Sequence, residues 1–268
     1  MRYAIELDRV TKIFHPLVHY NAGLKSIFLQ PRKILQLERP RAILAVDEVS
    51  LDIEVGESFG LVGANGAGKS TLLGLINQIL MPSSGTIRTS GRTSPLMELG
   101  TGMEPHLSAR ENIILNGVLL GMRRRDIEAR FDEIVSFSGL ERFLDQPLLS
   151  YSAGMQMRLG FSVAIHANPK ILLIDEVLAV GDAAFQKQCL ARIAELQKNG
   201  VTIVLVSHSL GMIENICDRA AWIDQGRVAA LGSPQDVVKR YRYKVGQRQA
   251  GDAPPTRLPY RKRSVGSE

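Results

Sequence analysis

The spacing of apolar and polar residues changes period several times along the chain, and each change predicts a new element. The stretch "YAIELDRVTKIF", from Tyr3, alternates with a period of two and predicts a strand. From His15 to Leu44 the pattern breaks: this segment holds four prolines or glycines and one apolar triplet at helical spacing, Leu24, Ile27 and Phe28. "ILAVDEVSLDIEVGESFGLVGANGAGKSTLLGLINQIL" then predicts strand, turn, strand, glycine loop and helix, and "SSGTIRTSGRTS" is turn-rich with short strands. From Ala109 to about Ala167 the period is helical, with "MRRRDIEARFDE" as an exposed helix face. "KILLIDEVLAV" and "VTIVLVSHS" are continuous apolar runs of the buried-strand type, and between them "CLARIAELQKNG" is a helix ending at Gly200. "RAAWIDQGRVAALGS" is a hairpin around "DQG". "SPQDVVKRYRYKV" starts a helix with Ser233 as N-cap and Pro234 at the first position. Beyond Val245 the chain is basic and rich in proline and glycine, so residues 242–268 are expected to form a basic, disordered tail.

Composition narrows the class. The 268 residues suffice for one large domain or two closely joined ones with a sizeable core, and 45 % hydrophobic with 22 % charged residues is ordinary for a soluble globular protein. No stretch approaches the roughly 18 uninterrupted apolar residues of a membrane span. Glu6 and Asp8 interrupt the first apolar run, which argues against a secretory signal. Cys189 and Cys217 lie apart without metal-like spacing and read as buried thiols of a reducing cytosol.

The net charge of +6 is unevenly spread. From Arg242 onward seven Lys/Arg face two Asp/Glu, and from His15 to Leu44 five face one. Such segments are either solvated basic surface or sites of attraction to an acidic one, membrane headgroups or nucleic acid. No aromatic-studded sheet or recognition-helix pattern favours nucleic acid. The segment 15–44 is also too long for an ordinary link between two strands. It is either a disordered basic insertion or a short amphipathic helix, with Leu24, Ile27 and Phe28 on its apolar face and Lys25, Arg32 and Lys33 on its basic one.

Three strand ends carry chemistry. "GANGAGKST", Gly63 to Thr71, fits G-x-x-x-x-G-K-[ST] between a strand and a helix. Its glycines, with Asn65, Gly66, Ala67 and Gly68, let backbone N–H groups approach phosphates; Lys69 reaches the β/γ oxygens, and Ser70, followed by Thr71, offers a hydroxyl to Mg²⁺. "ILLIDEV" ends in Asp175 and Glu176, two carboxylates at the edge where open α/β sheets bind ligands. Asp175 can hold Mg²⁺ through water, and Glu176 can polarise an attacking water. His208 ends the next apolar strand. A fourth feature is a second potential anion site, the helix start at Ser152, Ala153 and Gly154, with small residues, a capping hydroxyl and no lysine.

This order of P-loop, serine–glycine motif, Asp-Glu strand, Asp182 loop ("AVGDAAF") and strand-end histidine resembles the nucleotide-binding subunit of an ABC transporter, from about Tyr3 to Tyr241. The resemblance implies an α/β fold: a P-loop NTPase with an ABC-type RecA-like core, an antiparallel β subdomain and an inserted α-helical subdomain at about 96–168, all within residues 1–241. It implies that Ser152, Ala153, Gly154 and Met155 serve ATP bound to a partner's P-loop, which accounts for a second anion site without a lysine. Two copies then pack head to tail around two ATP molecules. It also implies that Phe14 stacks on adenine, that Asp182 lies across the interface and that His208 meets the γ-phosphate. Ala153 and Met155 depart from the common "SGGQ" form. No glutamine lies between Gln78 and Gln146; Glu98 stands near the place of the family's metal- and water-sensing glutamine, and a carboxylate accepts hydrogen bonds but does not donate them as an amide does.

"LMELGTGMEPHLSARENIILNG" and "IDEVLAVGDAAFQKQC", with the long insertion after the first strand, are similar to the ATPases of bacterial O-antigen and teichoic-acid exporters, in a short form without a carbohydrate-binding domain. This implies an ATPase using ATP and Mg²⁺, peripheral at the cytoplasmic face of the inner membrane. It would work with two copies of a separately encoded polytopic membrane subunit on a lipid-linked glycan, and not on nucleic acid. The alternatives are a transport ATPase for another substrate and a soluble ABC ATPase of nucleic acid or ribosomes. That last class usually has two nucleotide domains or a coiled-coil insertion, and neither is visible here.

Overall fold

The computed structural model describes residues 2–15, 42–96, 102–175 and 182–251. Among these, the strands are β1 (Tyr3–Phe14), β2 (Ile43–Glu54), β3 (Ser58–Val62), β4 (Ser84–Thr89), β5 (Thr93–Leu96), β6 (Ile171–Asp175), β7 (Thr202–Val206), β8 (Arg219–Asp224) and β9 (Arg227–Gly232). They form two sheets. One is antiparallel, in the order β2-β1-β4; the other runs β5-β6-β7-β3-β8-β9, parallel except for its last strand.

Period-two burial explains how the sheets stack. Ile171, Leu173, Val204 and Val206 face one core, and Leu172, Ile174, Ile203 and Leu205 face another, so β6 and β7 are covered on both sides. The first core is filled by α1 (Lys69–Ile76), through Leu72, Leu73, Leu75 and Ile76, together with Ile5, Leu7, Val10 and Ile53 of the antiparallel sheet. The helix that follows the P-loop is therefore clamped between the two sheets.

The α-helices over Ala109–Leu119 (α2), Arg124–Ala129 (α3), Phe131–Ser138 (α4) and Ala153–His166 (α5) build a helical lobe around Ile113, Ile127, Ile134, Leu148, Leu159 and Val163. A capping box of Ser108 and Glu111 starts α2. The helical pattern expected over 109–167 resolves into these separate helices, with left-handed glycines at Gly121 and Gly139 as two of the breaks between them. Within "MRRRDIEARFDE" Ile127 is fully buried, so that run is not one exposed face. α5 serves two cores. Leu159 and Val163 face the lobe while Phe161, Ala164 and Ile165 face the parallel sheet, beside α6 (Ala183–Lys198), α7 (Leu210–Ile216) and α8 (Pro234–Gly251).

Two boundaries differ from the sequence-based expectation. Ile43 and Leu44 belong to β2 rather than to the basic insertion, because they pair with Phe14 and Ile13. The insertion's triplet Leu24, Ile27 and Phe28, with Lys25, Arg32 and Lys33, lies outside the described residues. Residues 242–251, assigned to the tail, continue α8. No proline interrupts them, and the helix is anchored by Tyr241 against Trp222 (ring centroids 5.9 Å apart) and by an Arg242–Glu214 ion pair at 3.6 Å. Burial pushes the Cys189 and Cys217 thiols up to about 12, so both are unreactive near neutral pH.

Candidate nucleotide site

Register brings the chemistry to one edge. Val206 of β7 is paired with Leu61 of β3 on one side and with Asp175 of β6 on the other, so three central strands end side by side. The P-loop leaves β3 there, Asp175 closes β6, and His208 follows β7 by two residues. This is the carboxyl edge at which parallel sheets bind ligands.

The P-loop turns into α1 at Gly68, which has φ of 112° and provides no side-chain cap. The first N–H groups of α1 are thus left available to an anion. A Cβ at Gly68 would come 2.5 Å from the Ala45 carbonyl oxygen, so a side chain is excluded by space as well as by backbone conformation. Lys69 is only 6 % exposed, and its Nζ donates to the carbonyls of Gly63 (2.9 Å) and Ala64 (3.1 Å). Its charge is held over the loop, where it can transfer to phosphate oxygens with little reorganisation. A cleft of about 560 Å³ joins Asn65, Gly66, Gly68, Lys69, Ser70 and Thr71 to His208, Phe14, Ile43 and Ala45.

Two residues of this arrangement carried no signal of a role at the P-loop in the sequence pattern. Lys12 pairs with Val46 but Ile13 pairs with Leu44, so Ala45 is an extra residue in β2. Such irregularities bend a strand and re-aim its groups. The Ala45 carbonyl lies against Gly68 and also 2.8 Å from where a Gly226 Cβ would sit. Gly226 is the tip of the β8–β9 hairpin: its N–H donates to Ala67 O (2.8 Å), and its carbonyl accepts from Asp47 N–H (2.9 Å). The "DQG" turn is legible locally, with Gln225 and Gly226 both left-handed at 51° and 81°. That it clamps the P-loop to β2 is not.

The second helix start is built differently. Ser152 caps α5, its Oγ accepting from Met155 N–H at 3.2 Å. Ser152, Ala153 and Gly154 are exposed, and none of the residues 152–155 lines the P-loop cleft. Asp182 caps α6 through Phe185 N–H (2.9 Å) and is ion-paired with Arg158 of α5 at 3.6 Å. Arg158 Nε also donates to the Ser138 carbonyl (3.0 Å), so one guanidinium ties α4, α5 and the Asp182 turn together. Glu98 and Glu176 lie outside the described residues.

The donor set suits Mg²⁺. Asp175 Oδ1 is buried without a hydrogen-bond partner among the described residues, a state that favours a cation or a bound water. No group of three or more His, Cys, Asp or Glu forms a metal cage among the described residues. Mg²⁺ seldom uses such cages and takes one or two protein oxygens plus phosphates. Ser70 in the cleft and Asp175 at the adjacent strand end are oxygens of that kind.

Comparison with known proteins identifies the family. Residues 46–179 match the family model described as ABC transporter. The chain is 44 % identical over 242 residues to the O-antigen export system ATP-binding protein RfbB of Klebsiella pneumoniae, covering 90 % of this chain and 98 % of that one. It is 42 % identical over 240 residues to the teichoic acids export ATP-binding protein TagH of Levilactobacillus brevis, covering 90 % of this chain and 65 % of that one. Among solved structures, the ATP-binding cassette MJ0796, a dimer bound to ADP and Pi, superposes with a TM-score of 0.68 at 21 % identity, over 86 % of this chain and 98 % of that one, and so shares the fold. With its family model, its relatives and its P-loop fold in agreement, this chain belongs to the ABC transporter family, as one of its ATP-hydrolysing subunits.

Proposed function

We propose that the chain drives export of a lipid-linked surface polysaccharide across the cytoplasmic membrane, through a separately encoded membrane subunit. One observation carries this reading: the similarity to an O-antigen export ATP-binding protein runs over 98 % of that relative's length. In this proposal adenine stacks on Phe14, and Lys69 and the α1 N-terminus hold the phosphates. Ser70, Asp175 and Glu98 would hold Mg²⁺. Mg²⁺ bound there would supply charge neutralisation at the phosphate oxygens. Glu176 takes the proton of the attacking water, and His208 orients the γ-phosphate. Ser152–Met155 and Asp182 complete the site of a second copy, packed head to tail.

In this proposal the membrane subunit docks on exposed apolar residues of two segments that are each hydrogen-bonded to the start of β5 or the residue before it. Thr93 Oγ1 donates to Asn77 Oδ1 at 2.8 Å, next to Ile79 and Met81, which are 68 % and 77 % exposed. Arg92, the residue before β5, donates to the Gly121 carbonyl, a few residues after exposed Val118 and Leu119. Among the described residues no helix is long and apolar enough to cross a membrane, in keeping with a peripheral subunit at the cytoplasmic face. The test is genetic. Cells lacking this chain should accumulate lipid-linked glycan inside, and the wild-type chain should restore surface glycan while Lys69→Ala does not. Normal surface glycan without the chain would refute the proposal.

A further inference from the structure

Lys12 lies on β1 two residues before Phe14 and has no role in the site as described. Its Nζ donates to the Met81 carbonyl at 2.7 Å. The same ammonium sits 5.2 Å from the centroid of the Phe14 ring. Residues i and i+2 of a strand share a face, so both contacts are made on one side of β1. The segment bearing Met81 is also pinned to this end of the strand: Ser83 N–H donates to Thr11 O (2.7 Å), and Ile13 N–H donates to Ser83 Oγ (3.0 Å). Phe14 itself is the last residue of β1, and its pairing with Ile43 is the last rung described.

We propose that Lys12 is a positioning residue that steadies the Phe14 ring for base stacking and couples that stacking to the order of the exposed Ile79–Met81 segment. The inference rests on Phe14 being the base platform. An ammonium has three donors but one location, so it meets the ring and the Met81 carbonyl together only while the segment keeps its place. Hydrogen bonds and cation–π contacts both weaken steeply with displacement. A shift of Met81 therefore loosens the platform. By linkage, a base stacked on Phe14 also steadies the segment. Nucleotide occupancy would then be felt at the Ile79–Met81 segment by a route separate from the hydrolytic edge.

The experiment compares the full chain's affinity for ADP with its affinity for inorganic tripolyphosphate, which has no base. Lys12→Met keeps the stem and removes the cation. It should weaken ADP about two- to fivefold and leave tripolyphosphate unchanged, and Lys12→Arg should restore ADP binding. In a Phe14→Ala background Lys12→Met should have no further effect. ADP should slow amide exchange of the peptide spanning residues 77–84 in the wild type but not in Lys12→Met. Equal weakening of both ligands would mean diffuse attraction to phosphate and would overturn the inference. So would an undiminished Lys12→Met effect without the Phe14 ring, or ADP protection of 77–84 that survives Lys12→Met. If Phe14→Ala weakens ADP while Lys12→Met does not, the inference alone fails. If Phe14→Ala leaves ADP affinity untouched, the platform reading fails and takes the inference with it.

Discussion

Two helix N-termini in this molecule offer themselves to phosphate, and they are built in opposite ways. α1 starts at a left-handed glycine with no side-chain cap, and its first residue is a nearly buried lysine. It is walled by Phe14, Ala45 and His208. α5 starts at a serine that already caps Met155 N–H, carries no lysine and is exposed over its first residues. The first terminus has a floor, walls and a counter-charge in its own chain. The second has only oriented N–H groups and free space. Fields from a helix terminus fall off within a turn. A bare terminus therefore binds strongly only when another surface delivers the phosphate and excludes water.

The comparison is open to attack at several points. The largest effect belongs to the chemistry expected beside α1. Glu176→Gln should lower ATP turnover on the order of 100- to 10,000-fold while ATP binding persists. Turnover at the wild-type rate, measured with the membrane subunit present, would remove Glu176 from its proposed role. Next in size is Lys69→Ala, which deletes charge-assisted hydrogen bonds of about 1.5–3 kcal/mol and should weaken nucleotide binding to the isolated subunit by roughly ten- to a hundredfold. Ser152→Arg sharpens the contrast. It should leave the isolated subunit's nucleotide affinity unchanged and abolish ATP-driven pairing, as read by sedimentation in the Glu176→Gln background. If Ser152→Arg monomers bind nucleotide as poorly as Lys69→Ala monomers, both termini serve one site and the contrast collapses.

Smaller effects concern α5 as a structural element. Ser152→Ala removes its cap and should destabilise the chain by about 1 kcal/mol, a fall in melting temperature of roughly 2–4 °C. α1 has no side-chain cap to lose, so no substitution there acts by that route. At the other end of α5, His166 is 5 % exposed, with Nδ1 2.7 Å from the Ser162 carbonyl. Burial lowers its pKa, so the unfolded chain binds its proton more readily than the folded one. Its contribution to stability is then present above about pH 6.5 and lost as pH falls below that value. Melting temperatures at pH 7.5 and 5.5 should differ less in His166→Gln than in the wild type. An unchanged pH dependence would show that another group sets it.

Much of this molecule is encoded locally and could be read from the chain. Period-two and continuous apolar runs gave β1, β6 and β7 because burial on one face or two leaves its mark every second residue or every residue. Ser152, Ser233 with Pro234, and "DQG" announced helix starts and a turn, since a cap or a positive φ is satisfied within a few residues. "GANGAGKST" was legible for the same reason: its glycines and lysine act on one short loop. What only the tertiary structure decided depends on segments far apart in sequence. The extra residue at Ala45 and the tip at Gly226 touch the P-loop through carbonyls and missing Cβ atoms, and backbone contacts of that kind leave no trace in polarity. Lys12 looks like any exposed strand lysine until Met81 and Phe14 are set beside it. α8 outlasts the expected boundary at Tyr241 because Trp222 and Glu214 anchor it, and the residues beyond those anchors simply propagate a helix already begun. Periodicity records which way a side chain points, while the neighbour it meets is fixed only when close packing brings distant segments together.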